Sequence, residues 1–314
     1  MLNEAAAPPA LVSFVVVAYN QAQYIREAVE NALRQTYSPM EIILSDDCST
    51  DETYDILVDM AAEYKGPHEV VLNRNKKNLG LAGHLNAVAG ICRGDIMILA
   101  AGDDISRIDR TAILVKMFTE RPDAFAVYSR FNDLTTCAEF CGTLRAKRRN
   151  SFEILFNGGG IGKGATYAYR RKCFLWPRPL PDNILSEDKF LPLRAAVLGS
   201  VFEVDAPLVA YRKPPGRLGA KIKRSGNVAL KRPEHKEALL HDLCLARKEG
   251  VMSGAYATAL KAVFAYRMVT EAELPEKPLI LRRTLRILQR LARNRMRDLL
   301  RMINMRHRPV FLSH

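Results

Sequence analysis

Acidic side chains follow two apolar segments in the first third of the chain. Asp46 and Asp47 come directly after the run EIILS, and Asp103 and Asp104 follow DIMILAA. Carboxylates that share a site repel one another unless a cation or hydrogen-bond donors compensate them. Hard divalent ions such as Mg²⁺ and Mn²⁺ prefer oxygen ligands and keep coordination positions open for phosphate oxygens. If the fold brings them together, the four acids predict a site for a divalent ion and a phosphorylated ligand.

The segments around these acids alternate between buried strands and amphipathic helices. The first strand, LVSFVVVA, is a continuous β-branched run, as expected of a strand that is buried on both faces. Strands are predicted over 11–18, 41–45, 69–72 and 95–101, and helices over 21–36, 51–64 and 79–91. This order predicts an α/β fold with a mostly parallel, Rossmann-like central sheet flanked by helices. Ligands bind beyond the carboxyl ends of such strands, so the acids should meet at one edge.

The acidic and hydroxyl groups also have structural interpretations. Ser49 and Thr50 could cap the helix predicted from residue 51, and Asp103 with Asp104 could cap a helix near residue 106. Because acids follow successive strands of one sheet, the combination favours a ligand site over capping alone.

The second half of the chain is less regular. Strands are predicted over 124–130 and 166–170, a helix over 186–198 and a hairpin from 200–204 and 208–211. Between them lie the basic run RAKRR and the glycine-rich stretch GGGIGKG, whose spacing differs from that of a Walker phosphate loop. From residue 233 onward the pattern is helical.

The overall composition is that of a globular protein with a basic excess. The 314 residues are 48% hydrophobic, and the formal net charge is +13. Six cysteines are too few for a disulfide scaffold at this size. No apolar stretch is long enough to span a bilayer, and the first residues lack a signal-peptide pattern, so we expect a cytoplasmic protein.

The basic excess is concentrated at the C-terminal end. Residues 271–314 hold eleven basic and four acidic residues, a net charge of +7, with leucine and isoleucine at helical spacing. Such a helix suits an anionic membrane surface, which would attach the protein peripherally to the inner face of the cell membrane. It is equally compatible with packing on the catalytic part or on a partner subunit. Nucleic acid is not an expected partner, because no recognition module is present.

Three segments in order resemble the family 2 glycosyltransferases, which are inverting, nucleotide-sugar-dependent enzymes with the GT-A fold. They are VVVAYNQAQYIREAVENALRQTY, EIILSDDCSTDET and NKKNLGLAGHLNAVAGICRGDIMILAAGDD. The resemblance covers about residues 11–215. It implies a GT-A catalytic domain over 1–215, with a nucleotide-sugar-binding half over about 1–110 and an acceptor half over about 111–215. A basic, mostly helical extension over 216–314 would follow.

The resemblance assigns residues to the donor. Ala18, Tyr19 and Asn20 match the loop that binds the nucleotide base. Asp46 matches the acid that receives a hydrogen bond from uracil. Asn78, Gly80 and Asn86 match the segment near the ribose and sugar. Gly102 and Asp103 match the end of the family's DxD motif. In chain order, these residues are Ala18, Tyr19, Asn20, Asp46, Asn78, Gly80, Asn86, Gly102 and Asp103.

The same resemblance implies a divalent ion, Mg²⁺ or Mn²⁺, at Asp103, with Asp104 beside it. Two departures bear on this site. Ala101 stands where the family has the first acid of DxD, and no histidine follows Tyr211 in the family's YRxH-type loop. Lys213 and Arg217 could contact the diphosphate as cations instead, or they could belong to a surface loop.

Glu187 and Asp188 resemble the family's "ED" element, whose Asp is taken as the general base. An inverting transfer is one in-line displacement, so it needs a carboxylate to accept the proton of the acceptor hydroxyl and no covalent nucleophile. We therefore predict Asp188 as base and Glu187 as its neighbour or a sugar-binding residue. The alternative is that both acids merely begin a helix.

The sequence thus predicts transfer of a sugar from a nucleotide-sugar, expected to be a UDP-sugar, to a hydroxyl acceptor. The expected acceptor is a surface-polysaccharide or lipid-linked intermediate. One alternative is a degenerate relative that binds a nucleotide-sugar or scaffolds a complex without catalysis. Another is a nucleotidyltransferase, although AYNQAQY lacks the glycine-rich, basic activation loop expected there.

Overall fold

A computed structural model of the chain describes residues 10–134, 140, 142–149, 154, 161–181, 184, 186–213 and 233–251. The strands are β1 (Val12–Ala18), β2 (Met40–Asp46), β3 (Glu69–Arg74), β4 (Ile96–Ala101), β5 (Ile105–Ser106), β6 (Ala124–Asp133), β7 (Ala146–Arg149), β8 (Tyr167–Arg170) and β9 (Ser200–Tyr211). The helices are α1 (Ile25–Leu33), α2 (Thr53–Glu63), α3 (Gly80–Ile91), α4 (Arg110–Glu120), α5 (Lys172–Leu175), α6 (Glu187–Leu198) and α7 (Pro233–Lys248). A 3-10 turn over Gly164–Thr166 precedes β8.

The strands form one mixed sheet in the order β3-β2-β1-β4-β8-β6-β9-β5, with β7 paired to β9. The first four of these strands are parallel, whereas β8 runs antiparallel to both of its neighbours. At the carboxyl end of β1, Ala18 pairs with Asp46 of β2 and Val17 pairs with Ala101 of β4. The predicted gathering of strand ends at one edge is therefore confirmed.

Helices cover both faces of the sheet. Because side chains alternate across a strand, Val15 of β1 enters the apolar core that includes α3, α5, α6 and α7. Phe14 and Val16 enter the core shared with α1, α2 and α4. The described part of the predicted extension joins the first of these cores, where Leu239 and Leu243 of α7 are buried. The boundary at residues 215 and 216 remains a prediction.

Three local features differ from what the sequence suggested. The expected hairpin is the single strand β9, because a register shift against β6 near Arg130 absorbs the Asp205–Pro207 stretch as a bulge. The residues after Asp104 form the short strand β5, so the two acids cap no helix near residue 106. The segment RAKRR, read as a basic run, contributes β7 and pairs with β9 in antiparallel fashion.

Candidate active site

The loop after β1 is held against the loop after β2 by Asn20. Its backbone lies in the left-handed region, with φ of 52°, which asparagine tolerates better than most residues. The Asn20 N–H donates to Ser49 Oγ at 2.9 Å, and Asn20 Oδ1 accepts from the Thr50 N–H at 2.8 Å. Tyr19 beside it is 46% exposed, whereas Ala18 is buried. The first predicted base-binding residues thus combine an exposed ring with a fixed turn.

Capping of α2 by Ser49 and Thr50, the local alternative, is contradicted. The Ser49 hydroxyl donates to Asp46, and the Thr50 hydroxyl faces Asn20 Oδ1 at 3.3 Å. Asp51 instead accepts from the Thr53 N–H at 3.0 Å in the first turn of α2. The two hydroxyl residues therefore connect the loops of the site.

Asp46 is fully buried at the end of β2. Its carboxylate accepts from the Ser49 N–H at 2.9 Å and from the Ser49 hydroxyl, and Arg74 Nε lies 3.6 Å away. Asp47 Oδ1 accepts from Asn75 Nδ2 at 2.8 Å and from the Leu79 N–H at 2.9 Å. Both buried carboxylates therefore have several hydrogen-bond donors around them, as buried polar groups require.

His84 of α3 lies beneath these acids, and sequence reasoning missed it. It is 3% exposed, and its Nε2 shares a hydrogen bond of 2.6 Å with Ser45 Oγ. Burial lowers the pKa of the imidazole, although the charges of Asp47 and Asp46 oppose that shift. The lowered pKa favours the neutral form of His84. The residue was missed because it occupies an ordinary buried position of α3, which the sequence pattern does not distinguish from a core position.

The predicted ribose-and-sugar segment divides into two parts. Asn78 is exposed, and its Oδ1 accepts from the Gly80 N–H at 2.9 Å at the start of α3. Gly80 needs its glycine identity, because its φ is +70°. Asn86, by contrast, donates to the Leu180 carbonyl at 2.7 Å and accepts from the Leu180 N–H at 2.8 Å. The Asn86 amide therefore holds the segment before α6 against α3.

The end of β4 carries the acids predicted to bind a metal. Gly102 packs so closely that an added Cβ would lie 2.5 Å from Gln21 Oε1 and 2.7 Å from Ile25 Cδ1. Asp103 is half-buried, whereas Asp104 is 4% exposed. Glycine at position 102 thus allows the two acids to turn away from β4 directly over the start of α1.

Two arginines surround Asp104, and sequence reasoning missed both roles. The Arg212 N–H, just after β9, donates to Asp104 Oδ1 at 2.8 Å, and Arg212 Nε donates to the Asp103 carbonyl at 3.0 Å. Arg110 is fully buried and donates to the carbonyls of Leu99 at 2.8 Å and Ala165 at 2.7 Å. Burial, with the charge of Asp103, raises the pKa of the Asp104 carboxyl to about 8 despite these cations.

The acids at the end of β4 fit a divalent ion only as partial ligands. Asp104 Oδ2 is buried and has no hydrogen-bond partner, so one carboxylate oxygen is uncompensated. Within the ranges that the structure describes, no three His, Cys, Asp or Glu side chains group as metal ligands. Mg²⁺ characteristically uses one or two carboxylates and takes its other ligands from phosphate and water. Asp103 and Asp104 fit that mode.

The structure describes one of the two basic residues that were predicted to contact the diphosphate. Lys213 forms an ion pair with Asp133 at the end of β6. Arg217 lies outside the described residues. Arg212 is the cation that the structure places directly at the two acids, and it also pairs with Glu27 of α1.

Glu187 and Asp188 form the first turn of α6, as predicted from the sequence. Glu187 is buried, and Asp188 is half-buried. Burial, together with the charge of Asp188, raises the pKa of the Glu187 carboxyl to about 8. Burial also raises the pKa of Asp188, although the charges of Lys189 and Lys163 oppose it. The pair therefore combines a carboxyl that keeps its proton with a neighbour whose charge nearby lysines favour.

The glycine-rich stretch lies directly against these acids. A Cβ added to Gly164 would lie 1.8 Å from Glu187 Oε1, and one added to Gly162 would lie 2.9 Å from both Tyr128 and Tyr167. Side chains at either position would displace a ring or the carboxylate. The described part of GGGIGKG is therefore shaped to fit the acids of α6.

A short series of contacts joins the two acidic groups. Asp104 bonds Arg212, which follows Tyr211 at the end of β9. Lys163 Nζ lies 5.8 Å from the centre of the Tyr211 ring, and the charge of Lys163 acts on Asp188. These contacts connect the acids of β4 with those of α6, although 84 positions separate Asp104 from Asp188.

This mixed sheet, with acids at the end of β4 and a second acidic pair at the start of α6, has the architecture of the GT-A fold. Residues 13–159 match the model of Glycosyl transferase family 2. The predicted resemblance to that family is therefore confirmed over this stretch, which is a little less than half of the chain.

Two curated relatives illustrate the sequence similarity. An uncharacterised protein of Mycobacterium tuberculosis is 27% identical over 208 residues, which cover 64% of this chain and 58% of the relative. The E. coli enzyme WfaP, named UDP-Glc:alpha-D-GlcNAc-diphosphoundecaprenol beta-1,3-glucosyltransferase, is 32% identical over 121 residues. That match covers 38% of this chain and 46% of WfaP. The chain thus spans less than two thirds of the length of these relatives.

Solved structures confirm the fold. S. aureus TarS in complex with UDP superposes with a TM-score of 0.61 at 15% identity, covering 85% of this chain and 75% of TarS. The Pyrobaculum calidifontis mannosyltransferase PcManGT, in complex with GDP-Man and Mn²⁺, gives a TM-score of 0.55 at 19% identity. That superposition covers 94% of this chain and 84% of PcManGT. None of the helices in the described ranges has the length and apolar character needed to cross a membrane.

Proposed function

We propose that this protein is an inverting glycosyltransferase that moves a sugar from a nucleotide-sugar to a hydroxyl acceptor. The observation that supports the proposal is the series of contacts that connects two acidic groups. Asp103 and Asp104 end β4, and Glu187 and Asp188 begin α6, with Arg212, Tyr211 and Lys163 between them. One centre suits a diphosphate with its cation, and the other suits proton transfer.

Asp188 is the general base of the proposed reaction. Its carboxylate accepts the proton of the acceptor hydroxyl while that oxygen bonds to the anomeric carbon and the bond from this carbon to the diphosphate breaks. Glu187 keeps its proton at neutral pH, because burial raises its pKa to about 8. It can therefore donate a hydrogen bond to a sugar oxygen without competing for the acceptor proton.

Asp103, with Asp104 beside it, would hold Mg²⁺ or Mn²⁺, as the uncompensated oxygen of Asp104 favours. The ion would offset the negative charge of the leaving diphosphate. Arg212 already lies at these acids and adds a fixed cation to the same place. The family's first DxD acid and its histidine are absent from this chain, so the arginine gives the site a second source of positive charge.

The proposed donor is a UDP-sugar, and the proposed acceptor is a surface-polysaccharide or lipid-linked intermediate. The donor is supported by the TarS complex with UDP, and the acceptor by the name of WfaP. In this chain, Asp46 and the Tyr19–Asn20 turn form one corner of the site, where a base could stack on the exposed ring. A cytoplasmic location, and a tail over 271–314 that contacts an anionic membrane surface or a partner subunit, are part of the same proposal.

Donor turnover tests the function directly. Purified protein is incubated with a panel of nucleotide-sugars, with and without Mn²⁺, and release of the nucleoside diphosphate is followed. We expect slow, metal-dependent hydrolysis of one donor, faster when an acceptor is added. ¹H NMR of the product reports the anomeric configuration, and a retained configuration would refute inversion. Binding of a donor without any turnover would favour the non-catalytic alternative.

Replacement of the base tests the residue assignment. Asp188→Asn should lower transfer by at least about 10³-fold and leave donor affinity within about twofold, since the donor diphosphate does not need this carboxylate. Asp59→Asn on the exposed face of α2 makes the same chemical change away from the site and serves as the control. Transfer by Asp188→Asn at near wild-type rate would show that another group is the base.

Liposome binding tests the tail. Truncation after about residue 270 should reduce binding to anionic vesicles and leave binding to neutral vesicles unchanged, because the segment carries a net charge of +7. Equal binding of the full and truncated chains to anionic vesicles would exclude the membrane role.

A further inference from the structure

Lys163 is presented to the site by glycines on both sides. Gly162 lies against Tyr128 and Tyr167, and Gly164 lies against the Glu187 carboxylate. A Cβ at either position would clash with these groups, so either the groups or the backbone of the turn would have to move. The two glycines therefore bring the Lys163 backbone closer to α6 than a chain with side chains could approach.

The backbone of Lys163 is also fixed from the carboxyl side. Its carbonyl accepts two hydrogen bonds from Thr166, one from the N–H at 2.8 Å and one from the hydroxyl at 2.7 Å. Two residues later, the Ala165 carbonyl accepts a hydrogen bond from the buried Arg110 at 2.7 Å. These bonds join the turn to β4 and α4, so Lys163 is attached to the core of the domain although its side chain is exposed.

The side chain of Lys163 lies over two aromatic rings. Its Nζ is 5.9 Å from the centre of the Phe131 ring and 5.8 Å from that of Tyr211, within the range of a cation–π contact. The two rings contact each other edge to face at 5.5 Å. The contacts with the two rings restrict a long side chain that would otherwise move freely in water, and they hold its ammonium group above the rings.

Asp188 receives charges of both signs from the elements around it. Glu187 and Lys189 flank it on α6, and Lys163 faces it from the turn before β8. On β8, the charge of Asp188 also acts on the buried Tyr167 and Tyr169 and contributes to their raised pKa values. Among the described residues, Lys163 is therefore a cation on another element whose charge acts on Asp188.

We propose that Lys163 is a positioning residue for the general base, one that holds Asp188 as the ionised carboxylate that accepts the acceptor proton. The inference rests on the proposed function, since it assigns a role to Lys163 within that reaction. It also explains the Gly-Lys-Gly sequence. The two glycines allow the turn to pack closely against its neighbours, and the lysine supplies the positive charge that acts on Asp188.

The physical argument is the opposition between burial and charge. A base must be ionised before it can accept a proton, and burial acts against ionisation of Asp188. A neighbouring cation opposes this effect, because it favours the charged form of the carboxyl. Lys189 contributes from the same helix, but Lys163 belongs to the glycine-rich turn, so its effect depends on how that turn is seated.

The test is a pH–rate profile of the full chain with the donor that it turns over. Lys163→Met should move the acid limb of kcat/KM to higher pH by about 0.5–1 unit, because the lost charge is exposed and partly screened. At pH values below the acid limb, Lys163→Met should lower kcat/KM by about three- to tenfold. On the alkaline plateau, it should lower kcat/KM by less than about twofold. Lys163→Arg keeps the charge and should restore the limb. Lys116→Met removes an exposed charge on α4 and is the matched control.

A second readout does not depend on activity. Carboxyl-¹³C aspartate labelling, with the Asp188→Asn spectrum for assignment, reports the titration of Asp188 itself. Lys163→Met should raise the pKa of Asp188 by the same amount as it moves the acid limb. An unchanged titration would overturn the inference, as would a raised KM with an unmoved limb, since that result would make Lys163 a ligand contact. A shifted titration in a protein that turns over no donor would refute the proposed function alone.

Discussion

Gly164→Ala should impair catalysis through the position of Glu187 and leave the fold intact. A Cβ at position 164 would lie 1.8 Å from Glu187 Oε1, whereas real Cβ contacts are essentially never shorter than 3.0 Å. The carboxyl group must therefore retreat by about 1.2 Å or more, or the turn before β8 must move. Either shift displaces the acid that flanks the proposed base.

The size of the effect follows from this displacement. Misplacement of a group in an active site by about 1 Å can cost about 10²-fold in rate. Since Glu187 Oε1 is the end of a side chain that can rotate, the fold should lose no more than about 1–2 kcal/mol. We expect kcat to fall by about 10- to 100-fold, with the midpoint of thermal unfolding changed by only a few degrees.

The assay compares Gly164→Ala with a glycine that has free space. Gly90 lies in α3 and an added Cβ there would meet nothing within 4 Å, so Gly90→Ala should keep wild-type activity and gain helix stability. Release of the nucleoside diphosphate gives kcat and KM for each variant, and circular dichroism gives the unfolding midpoint. Wild-type kcat in Gly164→Ala would refute the idea that the Glu187 carboxyl must occupy its present place.

Three other changes test the remaining architecture. Arg194→Met should destabilise the fold by about 3–5 kcal/mol in urea, because it leaves the Asp242 carboxylate buried without the guanidinium that lies 2.9 Å away; a loss below about 1 kcal/mol would contradict this. Asn20→Ala should raise the donor KM more than Asn20→Gly, because only alanine also suffers from the φ of 52°; equal KM values would show that the turn is not strained. Glu187→Gln should stabilise the protein at pH 8, because a carboxyl with its pKa raised to about 8 in the folded state loses stability as pH rises from about 4.5 to 8. The gain should vanish below about pH 4, and thermal unfolding at several pH values measures it.

The strand ends of the site were predictable from local patterns. Continuous β-branched runs identify strands buried on both faces, and acids directly after two such strands must lie at the same edge of a parallel sheet. Asp46 and Asp103 follow from that reasoning alone. The start of α6 at Glu187 was also predictable, because acids in a first turn match the helix dipole.

Other roles depend on contacts that no local pattern contains. Asn86 is joined to Leu180, 94 positions away, and Asp104 to Arg212, 108 positions away. The hairpin expected from 200–211 failed for the same reason, since pairing with β6 outweighed the local turn signal of Asp205–Pro207. Pairing partners in a mixed sheet are chosen by burial of whole faces, which a short window of sequence does not show.

The sequence by itself determined which chemical groups are available and at which edge of the sheet they lie. Its periodicity predicted most of the strands and helices, and its acids led to the proposal of a cation site and a proton acceptor. Only the tertiary structure decided which groups lie near each acid: Ser49 donates to Asp46 and Arg212 donates to Asp104. The charges of Lys189 and Lys163 act on Asp188. The reason is that electrostatic compensation acts through space over a few ångströms, and the chain brings such partners together only when it packs.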